Sequence, residues 1–376
     1  MPARRPPEPF HYGSPAGAEH FCDRAEVLDD VVERMLTGNN VILLSPRRYG
    51  KTSLLLRAID TVRRRGGASG YISLIRCSSR REVVEAVASG ILNGPLSRLT
   101  RGRENLKELL RDLRIAPVLG VDPTGAFSLT FSGGAAAPDW NELLADALRL
   151  LARRSGKRPT SLVLDEFQRV VEIEESLGGV FKALADEVRT TSLVFAGSKL
   201  HLMRRLASGP GAPLLGMGER ITLDVVPERE MVDHLVARST GAGKPMTPET
   251  AQLIYAAVDG IPNDVQRLAF ESFLVAGERV EEEAVATALQ RVVSHQATDF
   301  AELYERLAPT QQRILRVLAT EPTANVYASA FLQAADITNA NAVRAALEVL
   351  EGRELVRKHG AVWIVSNAFL RAWLNE

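Results

Sequence analysis

The sequence predicts an α/β core built on a parallel sheet, an all-helical segment after it, and three helices closed by a β-hairpin at the C-terminus. Three observations carry that expectation. Short apolar runs at residues 41–44, 71–77, 161–164 and 192–197 alternate with helical stretches, the rhythm of parallel strands joined by crossover helices. No further strand pattern follows between Pro227 and residue 298. From Thr310 onward, three helical stretches precede two β-prone runs separated by His359-Gly360.

The first strand, residues 41–44, follows an amphipathic helix over 27–36 that ends at Gly38-Asn39-Asn40. It leads into Ser45-Pro46-Arg47-Arg48-Tyr49-Gly50-Lys51-Thr52-Ser53 and then an apolar helix. Strand, tight loop, helix is the order that phosphate binding requires. Successive backbone N–H groups wrap the phosphates, and a helix N-terminus faces their charge. Gly50 lets the backbone approach closely, Lys51 reaches the β- and γ-phosphates, and the Thr52 hydroxyl holds Mg2+. Ser45 stands where the usual pattern has its first glycine.

Upstream, residues 1–9 are rich in Pro and Arg and read as a loose arm, and Phe21 and Arg24 are candidates for the adenine pocket. Downstream, a strand over 71–77 and a helix over 81–92 continue the alternation. Residues 94–138 interrupt it with a basic helix carrying Arg98, Arg101, Arg103, Lys107, Arg111 and Arg114. Two apolar runs then flank Asp122-Pro123-Thr124-Gly125, a hairpin signal. Such an insertion could touch nucleic acid or a neighbouring subunit, or be a solvated structural flap.

A helix over 139–154 leads to the apolar strand that ends in Asp165-Glu166-Phe167-Gln168. Two carboxylates closing a buried strand downstream of a phosphate loop suit a Walker B site. Asp165 would hold Mg2+ through water and Glu166 would polarise the attacking water. The next strand ends at Ser198, where a hydroxyl can sense the γ-phosphate, and Arg220 precedes a last strand over 221–226. Arg220 is a candidate arginine finger, for its own site or for a neighbour's. The catalytic candidates are thus Lys51, Asp165, Glu166, Ser198 and Arg220.

Helices over 228–237, 248–258, 262–276 and 281–295 form an all-α lid, with Gly260-Ile261-Pro262 opening the third. The closing segment has helices over 310–319, 327–335 and 341–351, a hairpin over 355–365, and a last helix capped by Ser366. Three helices and a hairpin make a winged helix. Its recognition helix would present Thr338, Asn339, Asn341 and Arg344, and its wing Arg357, Lys358 and His359. The expected division is a P-loop NTPase core over 1–226 with its arm and insertion, a lid over 227–298, and a winged helix over 299–376.

The bulk composition narrows the partners. Lys+Arg and Asp+Glu both number 46 in 376 residues, so general polyanion binding is excluded and any DNA site is a local patch. Cys22 and Cys77 are the only cysteines, which excludes a disulfide framework and fits a reducing cytoplasm. No apolar run approaches membrane-spanning length, and the N-terminus lacks a signal-peptide core, so no membrane partner is expected.

Taken together, these motifs resemble the archaeal-type ATPase family, bacterial branch, within the AAA+/STAND group of P-loop ATPases. The carrying residues are Phe21-Cys22-Asp23-Arg24-Ala25-Glu26, the run from Ser45 to Leu54, and Leu164-Asp165-Glu166-Phe167-Gln168. Ala196-Gly197-Ser198, the stretch from Pro213-Leu214 to Arg220, Gly260-Ile261-Pro262 and the terminal winged helix extend the match to nearly the whole chain. The resemblance implies an ATPase core, lid and winged helix as in origin-recognition and helicase-loader relatives, and adenine contact by Gly260-Ile261-Pro262. Where initiators place an arginine after the lid glycine, this chain has Asn263, with Arg267 one turn on.

The resulting nucleotide-site candidates are Arg24, Pro46, Arg47, Arg48, Tyr49, Gly50, Lys51, Thr52, Ser53 and Pro262, with Thr52 and Asp165 for the metal. The DNA candidates are Asn339, Asn341, Arg344, Arg357 and Lys358. The expected activity is Mg2+-dependent ATP hydrolysis that controls homo-oligomeric assembly on DNA. The alternative is a STAND-type signalling switch, in which the winged helix serves autoinhibition or protein docking.

Overall fold

In the computed structural model, residues 9–17, 19–22, 24–100, 118–121, 126–131 and 139–376 are described. The loose arm at 1–8, most of the basic helix and the Asp122–Gly125 turn lie outside them. Two compact units form: Arg24–Asp224, and Val225–Glu376 joined by the segment that precedes Arg24.

The first unit is organised by a five-stranded parallel sheet in the order β2-β5-β6-β1-β7, with β1 (Val41–Leu44), β2 (Ala68–Ser73), β5 (Thr160–Asp165), β6 (Thr191–Gly197) and β7 (Glu219–Thr222). β1, β5 and β6 are buried at every residue, as strands covered by helices on both faces must be. Edge strand β7 is largely exposed, and it begins two residues before the expected run. Helices α1 (Ala25–Thr37), α2 (Lys51–Arg64), α3 (Arg80–Asn93), α4 (Trp140–Ser155), α5 (Arg169–Ile173), α6 (Leu177–Glu187) and α7 (Leu200–Ala207) surround the sheet. Phe167 centres one face of the core, edge-on to Phe181 and Phe195 with ring centroids 5.1 and 4.7 Å away.

The two apolar runs of the insertion pair as antiparallel strands β3 (Val118–Val121) and β4 (Phe127–Thr130). Asn93, at the end of α3, anchors β4 by donating to the Phe127 carbonyl at 2.6 Å and accepting from its N–H at 2.8 Å. The hairpin is thereby tied to the core.

In the second unit, α8 (Glu228–Gly241), α9 (Pro248–Ala257) and α10 (Pro262–Val275) form the lid. Helix α11 (Glu282–Glu305) then runs through residue 298, where a domain boundary was expected. It leads into α12 (Pro309–Thr320), α13 (Ser329–Ala334), α14 (Ala340–Gly352), the antiparallel strands β8 (Val356–His359) and β9 (Val362–Val365), and α15 (Ala368–Leu374). Lid and winged helix share one hydrophobic core. Trp373 of α15 packs on Phe300 and Tyr304 of α11 at 6.1 and 5.9 Å. The expected cap Ser366 yields to Asn367, whose side chain accepts from the N–H groups of Phe369 and Leu370 at 2.9 and 3.3 Å.

The start of the chain belongs to this unit and not to the sheet. Phe10 is buried edge-on to Phe273. The Pro9 carbonyl accepts from Arg238 at 2.9 Å, and Gly13 N–H donates to Asn263 Oδ1 at 3.0 Å.

Candidate functional site

The site is set by strand order. Because β6 lies between β1 and β5, the C-terminal ends of three neighbouring strands deliver the phosphate loop, Ser198 and Asp165-Glu166 to one edge of the sheet. Ser45 N–H donates to the Gly197 carbonyl at 3.2 Å, and Phe167 N–H to the Ala196 carbonyl at 2.8 Å, so the three loops begin in register.

The loop turns through left-handed backbone at Arg48 (φ 71°) and Gly50 (φ 83°). Glycine alone adopts the second of these without strain. Ser45 and Tyr49 are buried, Pro46 is partly covered, and Arg47 and Arg48 are exposed. Lys51 opens α2, a helix with no capping side chain and no acidic residue in its first turn. Its first N–H groups and the positive end of its dipole are left for an anion.

One hydrogen-bonded network joins the carboxylates. Lys51, only 6% exposed, donates to Asp165 Oδ1 and, at 2.8 Å, to Glu166 Oε1. Asp165 Oδ1 also accepts the Glu166 N–H at 2.8 Å. Its other oxygen, Oδ2, accepts from the Tyr71 hydroxyl at 2.6 Å and from Thr52 Oγ1 at 3.3 Å. Glu166 Oε2 accepts from Ser198 Oγ at 2.8 Å and from the buried Gln168 Nε2 at 2.5 Å. Glu166 is held in left-handed backbone, φ 55°, the kind of local strain that collects at working sites.

Burial opposes ionisation of Glu166 most strongly. The Lys51 charge and the hydrogen bonds from Lys51, Gln168 and Ser198 together outweigh it and hold the carboxyl below the ordinary glutamate range. The Tyr71 phenol moves the other way. Its burial, then the adjacent Asp165 charge, push it far above the ordinary tyrosine value, so it stays a donor.

The donor set suits a nucleotide with Mg2+. Thr52 Oγ1 and Asp165 Oδ2 are hard oxygen donors side by side, beside a buried ammonium and an uncapped helix start. Among the described residues no group of three or more His, Cys, Asp or Glu side chains gathers to hold a metal. A cation here would therefore rest on Thr52, Asp165 and the oxygens of its own ligand.

The remaining candidates lie elsewhere. Arg220 stands opposite Ile42 in β1, two residues short of the strand end, and donates to Ser208 Oγ at 2.6 Å. Arg24 N-caps α1 and donates to the Asp224 carbonyl at 2.6 Å, tying the two ends of this unit together. In the second unit Pro262 opens α10, and the Asn263 amide is occupied by Gly13. Arg267 is also engaged, donating to Gln296 Oε1 at 3.0 Å and lying over the rings of Tyr12 and Phe369.

Of the DNA candidates, Asn341, Arg344 and Lys358 are exposed, Lys358 lying over Trp363. The Asn339 side chain caps α14, accepting from Asn341 N–H at 2.8 Å. Arg357 turns inward, 3.6 Å from Asp259 of the lid. Arg371 meets the same carboxylate with two hydrogen bonds of 2.9 Å.

The reading from sequence passed over Tyr71 as a site residue. Its signal was weak because a strand's neighbours are not written in its own residues. Only the β2–β5 pairing brings Tyr71 beside the strand that ends at Asp165.

Comparison with known proteins agrees with this architecture. A family model described as "Probable winged helix domain" matches residues 298–376. A search of curated proteins returns no significant match. Among solved structures, the Walker-type ATPase Paby2304 of Pyrococcus abyssi is similar with a TM-score of 0.68 at 16% identity, over 98% of this chain and 100% of that one. The ORC2 protein of Aeropyrum pernix in ADPNP–ADP complexes matches with a TM-score of 0.54 at 16% identity, over 93% and 91% of the two chains. The ORC1 protein of the same organism, in complex with DNA, gives 0.51 at 15%, over 94% and 92%. The fold is that of these P-loop ATPase neighbours, with a winged helix at the C-terminus, as the motifs predicted.

Proposed function

We propose that this chain binds and hydrolyses ATP with Mg2+, and that the nucleotide state controls its assembly on DNA. The observation that carries the reading is the single network in which Lys51, Asp165, Glu166 and Ser198 meet at the phosphate loop. Lys51 leaves the carboxylates to take the β- and γ-phosphates, which removes the charge that holds Glu166 Oε1. Glu166 can then accept a proton from the attacking water, while Ser198 and Gln168 keep its other oxygen fixed. Thr52 and Asp165 would hold the cation, whose contribution is to neutralise charge on the phosphate oxygens. Arg220, on an edge strand and bonded to Ser208, takes no part in the hydrogen bonds that join Lys51, Asp165, Glu166 and Ser198, and would serve at a neighbouring subunit's site.

DNA contact draws support from the exposed Asn341, Arg344 and Lys358 on the winged helix, and from the DNA complex of the similar ORC1 protein. The test combines hydrolysis assays with light-scattering chromatography on labelled duplex, using Glu166→Gln to retain ATP. An assembly that enlarges and carries DNA only with ATP supports the reading. Absence of Mg2+-dependent hydrolysis in the wild type, or DNA carriage indifferent to nucleotide, overturns it.

A second reading is favoured by one specific observation. The winged helix is fastened to the lid through Asp259, Arg357 and Arg371, and Asn263 and Arg267 are already engaged within the unit. On this reading the protein is a slow switch of STAND type that uses its winged helix for autoinhibition or protein docking. ATP-dependent change of size without DNA carriage at moderate salt selects it.

A further inference from the structure

We propose that Tyr71 is a positioning residue for the cation: its hydroxyl fixes the Asp165 carboxylate so that Oδ2 stays turned toward Thr52. The inference rests on the ATP–Mg2+ reading of the site. Tyr71 stands opposite Val163 in the β2–β5 register, while Ser73 is the residue directly opposite Asp165. Ser73 is exposed, and the bond to Asp165 comes from the diagonal position, a span of about 7 Å along the strand that only a long side chain crosses.

The geometry divides the carboxylate in two. Oδ1 is taken by Lys51 and by the Glu166 N–H; Oδ2 is taken by Tyr71 and Thr52. The Thr52 and Tyr71 hydroxyls thus converge on the same oxygen of Asp165. When Lys51 moves to phosphate, Oδ1 loses its ammonium partner. Tyr71 then becomes the side chain that keeps the carboxylate from rotating about its terminal torsion. An outer partner that orients a ligating carboxylate affects metal affinity far more than it affects the rest of the site.

The test uses the full chain and a fluorescent ATP analogue, mant-ATP, titrated in EDTA and then with increasing Mg2+. Tyr71→Phe keeps the ring and removes only the hydroxyl. Affinity in EDTA should stay within about 2-fold of wild type, while the Mg2+ concentration for half-maximal tightening rises about 10-fold. An unchanged Mg2+ requirement in Tyr71→Phe overturns the proposal and leaves the ATP site standing. So does an equal loss in EDTA and in Mg2+, which would mark a purely structural tyrosine. Failure of the wild type to bind mant-ATP with Mg2+ overturns both. A second measurement does not need the variant to fold. In wild type labelled with 3-fluorotyrosine, addition of Mg2+ to the mant-ATP-loaded chain should shift one of the tyrosine fluorine resonances. Resonances that all stay put refute the proposal.

Discussion

Both oxygens of Asp259 accept hydrogen bonds from Arg371, each 2.9 Å long, so the last helix of the winged helix is clamped to the lid by a planar, two-pronged ion pair. Asp259 is in left-handed backbone immediately before Gly260-Ile261-Pro262, which makes the clamp a direct handle on that turn. Asp259→Asn keeps the turn and weakens the pair, and should destabilise the second unit by about 1–2 kcal/mol. A double-mutant cycle with Arg371→Gln, followed by denaturant unfolding, should return a coupling of about 1 kcal/mol or more. Additive single effects would mean that the pair contributes nothing.

Lys51 and Glu166 should separate binding from hydrolysis. Lys51→Ala removes the buried ammonium and should abolish mant-ATP binding. Glu166→Gln should keep binding and lower turnover by about 10²–10⁴-fold, the range for loss of a general base.

The pH dependence of the nucleotide-free protein follows from the lowered Glu166 carboxyl. A depressed folded-state value stabilises the fold at pH above the ordinary 4.5, and that stabilisation disappears as pH falls through the lower folded value. The stability difference between wild type and Glu166→Gln should therefore be steady near neutrality and shrink below about 4.5. Thermal unfolding over a pH series reads this directly, and a difference that grows on acidification contradicts it.

Gly197 is held to glycine by crowding. A Cβ there would meet Gln168 Oε1 at 2.4 Å and the Met203 sulfur at 2.5 Å. Gly197→Ala should cost about 1–3 kcal/mol by overpacking and displace Gln168 from Glu166. Hydrolysis should then fall more than mant-ATP affinity does, as single-turnover and binding assays would show.

On the winged helix, Arg344→Ala and Lys358→Ala should each weaken duplex binding and reduce its salt slope by about 1, as lost phosphate contacts do. Arg357→Ala should leave the salt slope alone and lower thermal stability, because its guanidinium faces Asp259. Fluorescence anisotropy at several salt concentrations distinguishes the two outcomes.

Much of the site was legible before the structure. Gly50, Lys51, Thr52, Asp165 and Glu166 stand out as candidates because phosphate and metal chemistry would call for those residue types next to buried strands, and the strand order brings them to one edge of the sheet. Tyr71 did not, since strand order is a property of the sheet and not of any one stretch. Nor did the destination of Arg357. A basic residue on a wing reads as solvent-facing, and only the tertiary position of Asp259 turns it inward. The boundary expected at residue 298 coincides with the start of the matched winged-helix region, yet helix α11 runs on through it to Glu305, so no loop marks it. The cap at Asn367 was missed by one residue, the usual uncertainty where two good capping residues are adjacent.

Helix α11 has a mechanical meaning. Its 24 residues make an unbroken rod about 36 Å long. Its first turns lie with the lid helices, and its last turns carry Phe300 and Tyr304 under Trp373. With the Asp259 clamp as a second strut, any tilt of the lid is passed along a lever instead of being absorbed at a hinge. A tilt of about 10° at one end of such a rod sweeps the other by about 6 Å. That stroke exceeds the rise of a full helical turn, enough to displace the exposed face that carries Asn341 and Arg344.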